Sequence, residues 1–173
     1  MKKINYLILM SMILLLASCS TPRLIPKALN TVATATFADL NLTNKDYSIQ
    51  NTVTAEAVVT VTYARDWTQI SEEQGEFQIR TVKTKKGTEV LYKGVLRMGY
   101  LFNDYNYDPS EKYSPEDVAR RLAIYRLINI AKANGADGVI EPIISTNVEQ
   151  VSKDKVVLKT TASAKILTLT SSK

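Results

Sequence analysis

Three oxygen-bearing side chains stand at alternate positions in the segment that reads DYNYD. Asp104, Asn106 and Asp108 match the start of a calcium-binding loop, in which alternate residues converge on one hard cation. The sixth position of such a loop requires glycine and the twelfth requires glutamate, but this chain has Pro109 and Pro115 there. The sequence therefore predicts no cofactor, with Ca²⁺ at these three side chains as the one alternative.

Tyrosine rings crowd the same loop, which spans residues 100–113. Tyr105 and Tyr107 alternate with the acid and amide side chains, and the loop begins at Tyr100 and ends at Tyr113. Flat rings beside amides and carboxylates suit the faces and hydroxyl groups of sugars. Two interpretations stay open. The loop could bind a glycan or calcium, or it could fold back on a sheet with its tyrosines half-buried and their hydroxyls in water.

The composition excludes most of the common catalytic and metal-binding chemistry. The chain has no histidine and only one cysteine, which excludes Ser-His-Asp triads, Cys-His dyads and Cys/His zinc sites. Its six glycines never form a phosphate-binding GxGxxG or GxxxxGK loop. We therefore predict that the protein is not an enzyme. The net charge of +5 comes without a stripe of basic and aromatic residues, so no nucleic-acid partner is predicted.

The single cysteine carries the strongest chemical signal in the chain. Two lysines and an apolar run over residues 4–16 precede the stretch Leu16-Ala17-Ser18-Cys19. The run is too short to span a membrane, since a span needs about 20 apolar residues, and its layout is typical of a secretory signal. The four residues resemble the bacterial lipobox, in which the cysteine thiol receives a diacylglycerol and the peptide is cut just before it. The alternative is an ordinary signal peptide with a chance cysteine.

The lipobox resemblance implies a location for the protein. Residues 1–18 would be a lipoprotein signal peptide, and residues 19–31 the acylated Cys19 and a tether. Two or three acyl chains hold a protein firmly on a membrane, whereas a single chain binds only marginally. By resemblance to bacterial sorting signals, Ser20 implies transfer to the outer membrane. The absence of acidic residues directly after it favours the periplasmic leaflet over the cell surface.

One helix is the clearest element that could position the loop. Ser114 is a good N-cap, Pro115 suits the first helical position, and Asp117 completes a Ser-x-x-acid capping box. The helix is predicted to run to about Asn134 and to stop at Gly135 in a left-handed cap. One half of its circumference is apolar and rich in alanine, which would let it pack closely on a sheet.

The helix also carries apolar residues on its second face. Val118, Leu122 and Tyr125 lie among the polar side chains opposite the main apolar half. Either a loop of the same chain or another subunit would have to cover them, and both interpretations stay open.

Period-two alternation of apolar residues predicts about six strands. In chain order these are residues 34–42, 55–63, 77–84, 89–98, 139–149 and 156–166. The first two are predicted to form a hairpin, and residues 64–76 a loop. Pro142 lacks an N–H group, so its strand should lie at an edge or contain a bulge. The prediction is a single α+β domain over residues 32–173, with a mostly antiparallel sheet packed against one main helix at about 115–134.

The helix and the strand after it resemble a module of small bacterial envelope proteins. There, an alanine-rich helix ends in Gly-Ala-Asp, here Gly135-Ala136-Asp137, and a strand follows at once. The heavy-metal-binding-domain family has this signature. So do lipoproteins of Bacteroides-like bacteria, which also have an upstream segment similar to residues 44–49 and 54–57. The resemblance implies a fold and an envelope location but no activity. The metal label does not carry over, because the chain lacks soft His and free Cys ligands.

Asp137 has a structural interpretation and a binding interpretation. At the corner after the helix, its carboxylate could accept backbone N–H groups, which is the interpretation we favour over a ligand site. Together the sequence features predict a lipid-anchored cell-envelope protein that acts as a non-enzymatic binding or interaction module. Its expected partners are the membrane and either another envelope protein or a second copy of the chain. The alternative is a glycan- or calcium-binding surface module that uses the loop 100–113.

Overall fold

The described part of the chain folds into two sheets that both contact one helix. The computed structural model describes residues 27–31, 43, 45–101 and 114–170. Its elements are β1 (Lys27–Thr31), β2 (Tyr47–Tyr63), β3 (Trp67–Glu72), β4 (Phe77–Thr84), β5 (Gly87–Gly94), β6 (Leu96–Tyr100), α1 (Pro115–Ala133), β7 (Gly138–Ser152) and β8 (Lys155–Leu169). Six strands form an antiparallel sheet in the order β5-β4-β3-β2-β8-β7, and β1 pairs with β6 in parallel. The α+β prediction of a six-stranded sheet with one main helix is confirmed.

The core lies between α1 and the two central strands of the large sheet. Alternate residues of β2 face the helix, and Ala57, Val59 and Val61 are fully buried there. Ala119 and Ala123 of α1 are fully buried as well, so the helix packs closely on β2 and β8. The predicted strands 55–63, 77–84, 139–149 and 156–166 correspond to β2, β4, β7 and β8. These strands follow the sequence pattern because their alternation reflects one buried face.

The N-terminus of α1 has the predicted cap. Ser114 lies in extended conformation, and its Oγ accepts a hydrogen bond from the backbone N–H of Asp117 at 3.1 Å. The same hydroxyl lies 2.9 Å from the Asp117 carboxylate and donates to it. Pro115 occupies the first turn, where its missing N–H leaves no gap in the hydrogen bonding.

The C-terminus of α1 also ends as predicted, in a Schellman motif. Gly135 has a φ of 73°. Its N–H donates to the carbonyl of Lys132 at 3.0 Å, and the N–H of Ala136 donates to the carbonyl of Ala131 at 3.1 Å. The Asp137 carboxylate then accepts the N–H of Leu169 at 2.7 Å. This hydrogen bond agrees with the structural interpretation of Asp137.

The small β1–β6 sheet covers the second face of α1. Val118 and Leu122 are fully buried, and Tyr125 is half-buried. Gly99 of β6 lies directly on the helix backbone: a Cβ atom there would meet the backbone nitrogen of Tyr125 and, at 2.5 Å, the carbonyl carbon of Ile124. In the part of the chain that the structure describes, a second sheet of the same chain therefore lies against this side of the helix.

Strand β1 lies within the segment that was predicted to be a tether. Residues 27–31 pair in register with 96–100, so this part of the predicted tether is a strand of the described structure. Asn30 fastens β1 to the helix: its Nδ2 donates to Asn129 Oδ1 at 2.7 Å, and its Oδ1 accepts from Lys132 Nζ at 2.5 Å. Apolar alternation could not reveal this strand, because its buried side chain, Asn30, is polar and its Leu29 is 60% exposed.

Two further strand predictions differ from the structure. The predicted strand 89–98 is two strands, because Gly94 has a φ of 87° and breaks it, sending β6 to the small sheet. The predicted loop 64–76 contains β3, whose helix-facing positions include only one large apolar residue, Ile70. The predicted strand 34–42 and its hairpin lie outside the described residues. In the described sheet, β2 is flanked by β3 and β8.

Strand β7 agrees with the prediction made from Pro142. It lies at the edge of the large sheet, and its register against β8 shifts between Ile140 and Ile143. Glu141, the residue before the proline, has a φ of 51°. The strand is therefore both at an edge and bulged, which accommodates the missing N–H group.

Candidate functional site

The predicted site residues lie outside the described parts of the chain. They are Cys19, Asp104, Tyr105, Asn106, Tyr107 and Asp108. The structure does describe the two flanks of the loop 100–113, which are the end of β6 at Tyr100 and Leu101 and the N-cap of α1 at Ser114. The structure therefore describes the residues directly before and directly after the undescribed part of the loop.

A cavity of about 210 Å³ lies beside these flanks. It is lined by Gly99, Tyr100, Leu101, Asp117, Arg120, Arg121, Ile124 and Ile144. The first two turns of α1 bring Asp117, Arg120 and Arg121 to one side, because residues three and four apart are neighbours on a helix. The Arg121 guanidinium carbon lies 4.8 Å from the centre of the Tyr100 ring, a cation–π distance.

The charges around this cavity favour an anionic group over a metal cation. The described lining carries two guanidinium groups, of Arg120 and Arg121, and one carboxylate, of Asp117. The Asp117 carboxylate already accepts the Ser114 hydroxyl. Guanidinium groups present planar pairs of donors that match carboxylate and phosphate oxygens. The sequence predicts Asp117 only as part of a helix cap, and Arg121 is one of the polar positions of the helix. Their proximity to Tyr100 depends on how β6 docks on α1.

A second charged cluster is buried and fastens α1 to the β3–β4 turn. Arg126 Nη2 lies 3.0 Å from Glu72 Oε1 and 3.7 Å from Glu76 Oε2, and Arg126 Nη1 donates to the carbonyl oxygen of Glu56 at 2.7 Å. Only 1% of the Glu72 side chain is exposed, and among the described residues its carboxylate accepts no hydrogen bond. The Arg126 charge is therefore its compensation, and we interpret the cluster as a structural clamp.

Strand β7, the last strand of the described large sheet, exposes several apolar side chains. The described residues place no strand beyond β7. Exposed fractions reach 67% for Ile143, 57% for Val148 and 53% for Val151. The one charged side chain between Ile143 and Ser152 is Glu149, whose Oε2 lies 3.1 Å from Lys159 Nζ. An edge of this kind offers unpaired backbone groups to another strand.

The opposite edge of the described sheet is β5, which also carries charges. Glu89 and Lys93 lie on this strand, and Lys85 and Lys86 form the turn before it. Charged residues, lysine above all, are the usual means by which an edge strand is protected against pairing with other chains. Both edges expose apolar side chains, since Val90 and Leu91 of β5 are 49% and 45% exposed. The edges differ in charge, because residues 143–149 of β7 carry one charge, whereas β5 carries two and follows Lys85 and Lys86.

The described residues form an α+β domain whose six-stranded sheet ends in β5 on one side and in β7 on the other. Comparison of the chain with protein-family models, curated proteins and solved structures finds no match. Within residues 27–31, 45–101 and 114–170, no group of three or more His, Cys, Asp and Glu side chains is placed to hold a metal ion. The helix in these ranges does not combine the length with the apolar character that crossing a membrane would require.

Proposed function

We propose that this protein is a lipid-anchored component of the bacterial envelope whose domain is a non-enzymatic interaction module. The lipobox stretch ending at Cys19 supports the anchor. Ser20 and the absence of nearby acids support the periplasmic leaflet of the outer membrane. The β7 edge is the observation that carries the interaction role. Among the described residues no strand pairs with this edge, Ile143 and Val148 are exposed, and the one charge of residues 143–149 is already compensated by Lys159.

The anchor is tested by replacing Cys19 with alanine in the full chain. Cells fed radiolabelled palmitate should label the wild-type protein and leave the Cys19→Ala protein unlabelled, because the substitution removes the thiol that accepts the lipid. The wild-type protein should fractionate with the outer membrane. Ser20→Ala is the matched control and should keep its label. An unlabelled wild-type protein found free in the periplasm would contradict the anchor.

The leaflet is read from the same strain with a C-terminal tag. Protease added to intact cells should leave the tag in place, and breaking the outer membrane should expose it. Loss of the tag from intact cells would place the domain on the cell surface.

A second candidate function is a surface module that binds acidic glycans beside the loop 100–113. The cavity next to this loop favours it, because the lining carries two arginines for one aspartate and holds Tyr100 against Arg121. Of the two ligands considered from the sequence, these charges favour an acidic sugar over calcium.

The glycan function is tested with Arg121→Met in the mature protein on an array of acidic and neutral glycans. Loss of a charge-assisted contact should weaken binding roughly tenfold or more. Arg80→Met is the matched control, because the Arg80 guanidinium carbon lies 4.7 Å from the centre of the Trp67 ring, a similar stacking geometry away from the cavity. Equal losses in the two variants, or no binding by the wild type, would rule this function out.

A further inference from the structure

We infer that the β7 edge binds the same edge of a second copy of this chain, in antiparallel register about a two-fold axis at Thr146. The two six-stranded sheets then form one continuous sheet across the dimer. This inference rests on the proposed interaction function and names its partner. It concerns the described residues 143–149 and their immediate neighbours.

The backbone of β7 sets the limits of this pairing. The register against β8 shifts between Ile140 and Ile143 and again between Gln150 and Ser152. Between these irregularities residues 143–150 pair regularly with β8, and within them the seven residues 143–149 are symmetric about Thr146. Seven residues span about 23 Å. Antiparallel pairing of two such segments would form about six to eight backbone hydrogen bonds, since every second pair exchanges two.

The side chains of this segment complement themselves in that register. Ile144 comes to lie opposite Val148 of the partner subunit, and the two-fold axis repeats this apolar pair. The exposed Val148 side chain thereby gains a partner next to Ile144, which already packs against the core. Thr146 faces Thr146 of the partner subunit, and polar Ser145 faces Asn147 of the partner subunit. Apolar and Thr–Thr pairs of this kind stabilise antiparallel strands.

The charge distribution favours a second copy as the occupant. An isologous interface brings each charge near its own copy, so a net charge on the edge would repel. Glu149 is the only charged residue of the segment, and it lies at one end, away from the axis. Its carboxylate lies 3.1 Å from the Lys159 ammonium of the same chain. In the proposed register Glu149 faces Ile143 of the partner subunit, so the two glutamates do not meet.

A single introduced cysteine tests the register in the full chain, expressed in its own envelope. Thr146→Cys places two thiols opposite each other at the axis. The Cα atoms of antiparallel pairs lie about 4.5–5.5 Å apart, within the range that a disulfide spans. Mild oxidation should give a covalent dimer of twice the monomer mass. Val90→Cys on the β5 edge, where 49% of Val90 is exposed, is the matched control and should stay monomeric.

A charge on the edge tests the same contact without relying on oxidation alone. Val148→Lys in the Thr146→Cys protein should reduce the cross-linked fraction roughly tenfold, because the two-fold axis repeats its effect. Val90→Lys in the same background should leave the fraction unchanged. Both sites are largely exposed, so both variants should keep the wild-type melting temperature.

The outcomes separate this inference from the proposed function. A Thr146→Cys protein that stays monomeric, or that cross-links to a protein of another mass, would overturn the homodimer. Palmitate labelling of that same protein would leave the anchor proposal standing. The only thiol of the wild-type chain is Cys19, so a disulfide dimer of that chain would show that this thiol is free. Such a dimer would contradict acylation of Cys19. The effect of Val148→Lys would then still decide whether the β7 edges meet.

Discussion

Replacing Gly99 with alanine should lower the free energy of unfolding by about 3 kcal/mol, the upper end of the usual cost of overpacking. The added methyl group would collide with the backbone of α1 at Ile124 and Tyr125. Backbone atoms of a helix cannot move aside as a flexible side chain can, so β6 would have to retreat. Its retreat would withdraw Leu96 and Met98 from the core, where both are buried.

Gly138→Ala is the matched control for this prediction. The nearest atom to a Cβ at Gly138 is Leu167 Cδ2 at 3.9 Å, an ordinary contact, and Gly138 does not have a positive φ. Alanine there should leave stability unchanged or raise it by up to about 1 kcal/mol, by restricting the unfolded chain. Urea unfolding followed by the fluorescence of Trp67, the only tryptophan, measures both variants. Equal stabilities for the two would contradict the close approach of β6 to α1.

Arg126→Met should lower the free energy of unfolding by about 3–5 kcal/mol, the usual cost of breaking a buried ion pair from one side. The substitution keeps a long apolar side chain but removes the charge that lies 3.0 Å from Glu72. Because only 1% of the Glu72 side chain is exposed, water could not solvate its carboxylate in place of the lost arginine. The carbonyl of Glu56 also loses the 2.7 Å hydrogen bond from the Arg126 guanidinium.

Removing both buried charges should recover much of that loss. In the Arg126→Met/Glu72→Met protein no buried carboxylate is left unpaired, and such replacements are often neutral. The four proteins of the double-mutant cycle give the coupling energy directly. Lys159→Met is the exposed control. Its pair with Glu149 has side chains 56% and 55% exposed, so the loss should stay below about 1 kcal/mol. Additive losses in the cycle would show that Arg126 and Glu72 act independently.

The elements whose determinants are local could be predicted from the sequence. The helix is specified at one end by Ser114 and Asp117 and at the other by Gly135, all within one turn of the residues that they cap. Strands β2, β4 and β8 have one face towards the core, so burial left a period-two pattern in their sequences. The position of β7 followed from Pro142, whose backbone cannot complete a central ladder.

The features that depend on distant contacts could not be predicted. Glu72 looks like a loop residue, since carboxylates are almost never fully buried unless paired, and its partner Arg126 lies on another element. Strand β1 is five residues long and pairs with a strand about 70 residues away. The cavity also depends on a contact between residues that are distant along the chain. Arg120 and Arg121 are ordinary polar helix positions until the docking of β6 brings Tyr100 beside them.

If Cys19 is acylated as proposed, the position of β1 limits how far the domain can stand from that anchor. Lys27 follows Cys19 by eight residues, and an extended chain spans at most about 3.6 Å per residue, so the two lie within about 29 Å of each other. Acylated copies on one leaflet would then all lie in a thin layer next to the membrane. Confinement to such a layer raises the effective concentration of one β7 edge for another. An affinity too weak to give dimers in dilute solution could therefore suffice at the membrane.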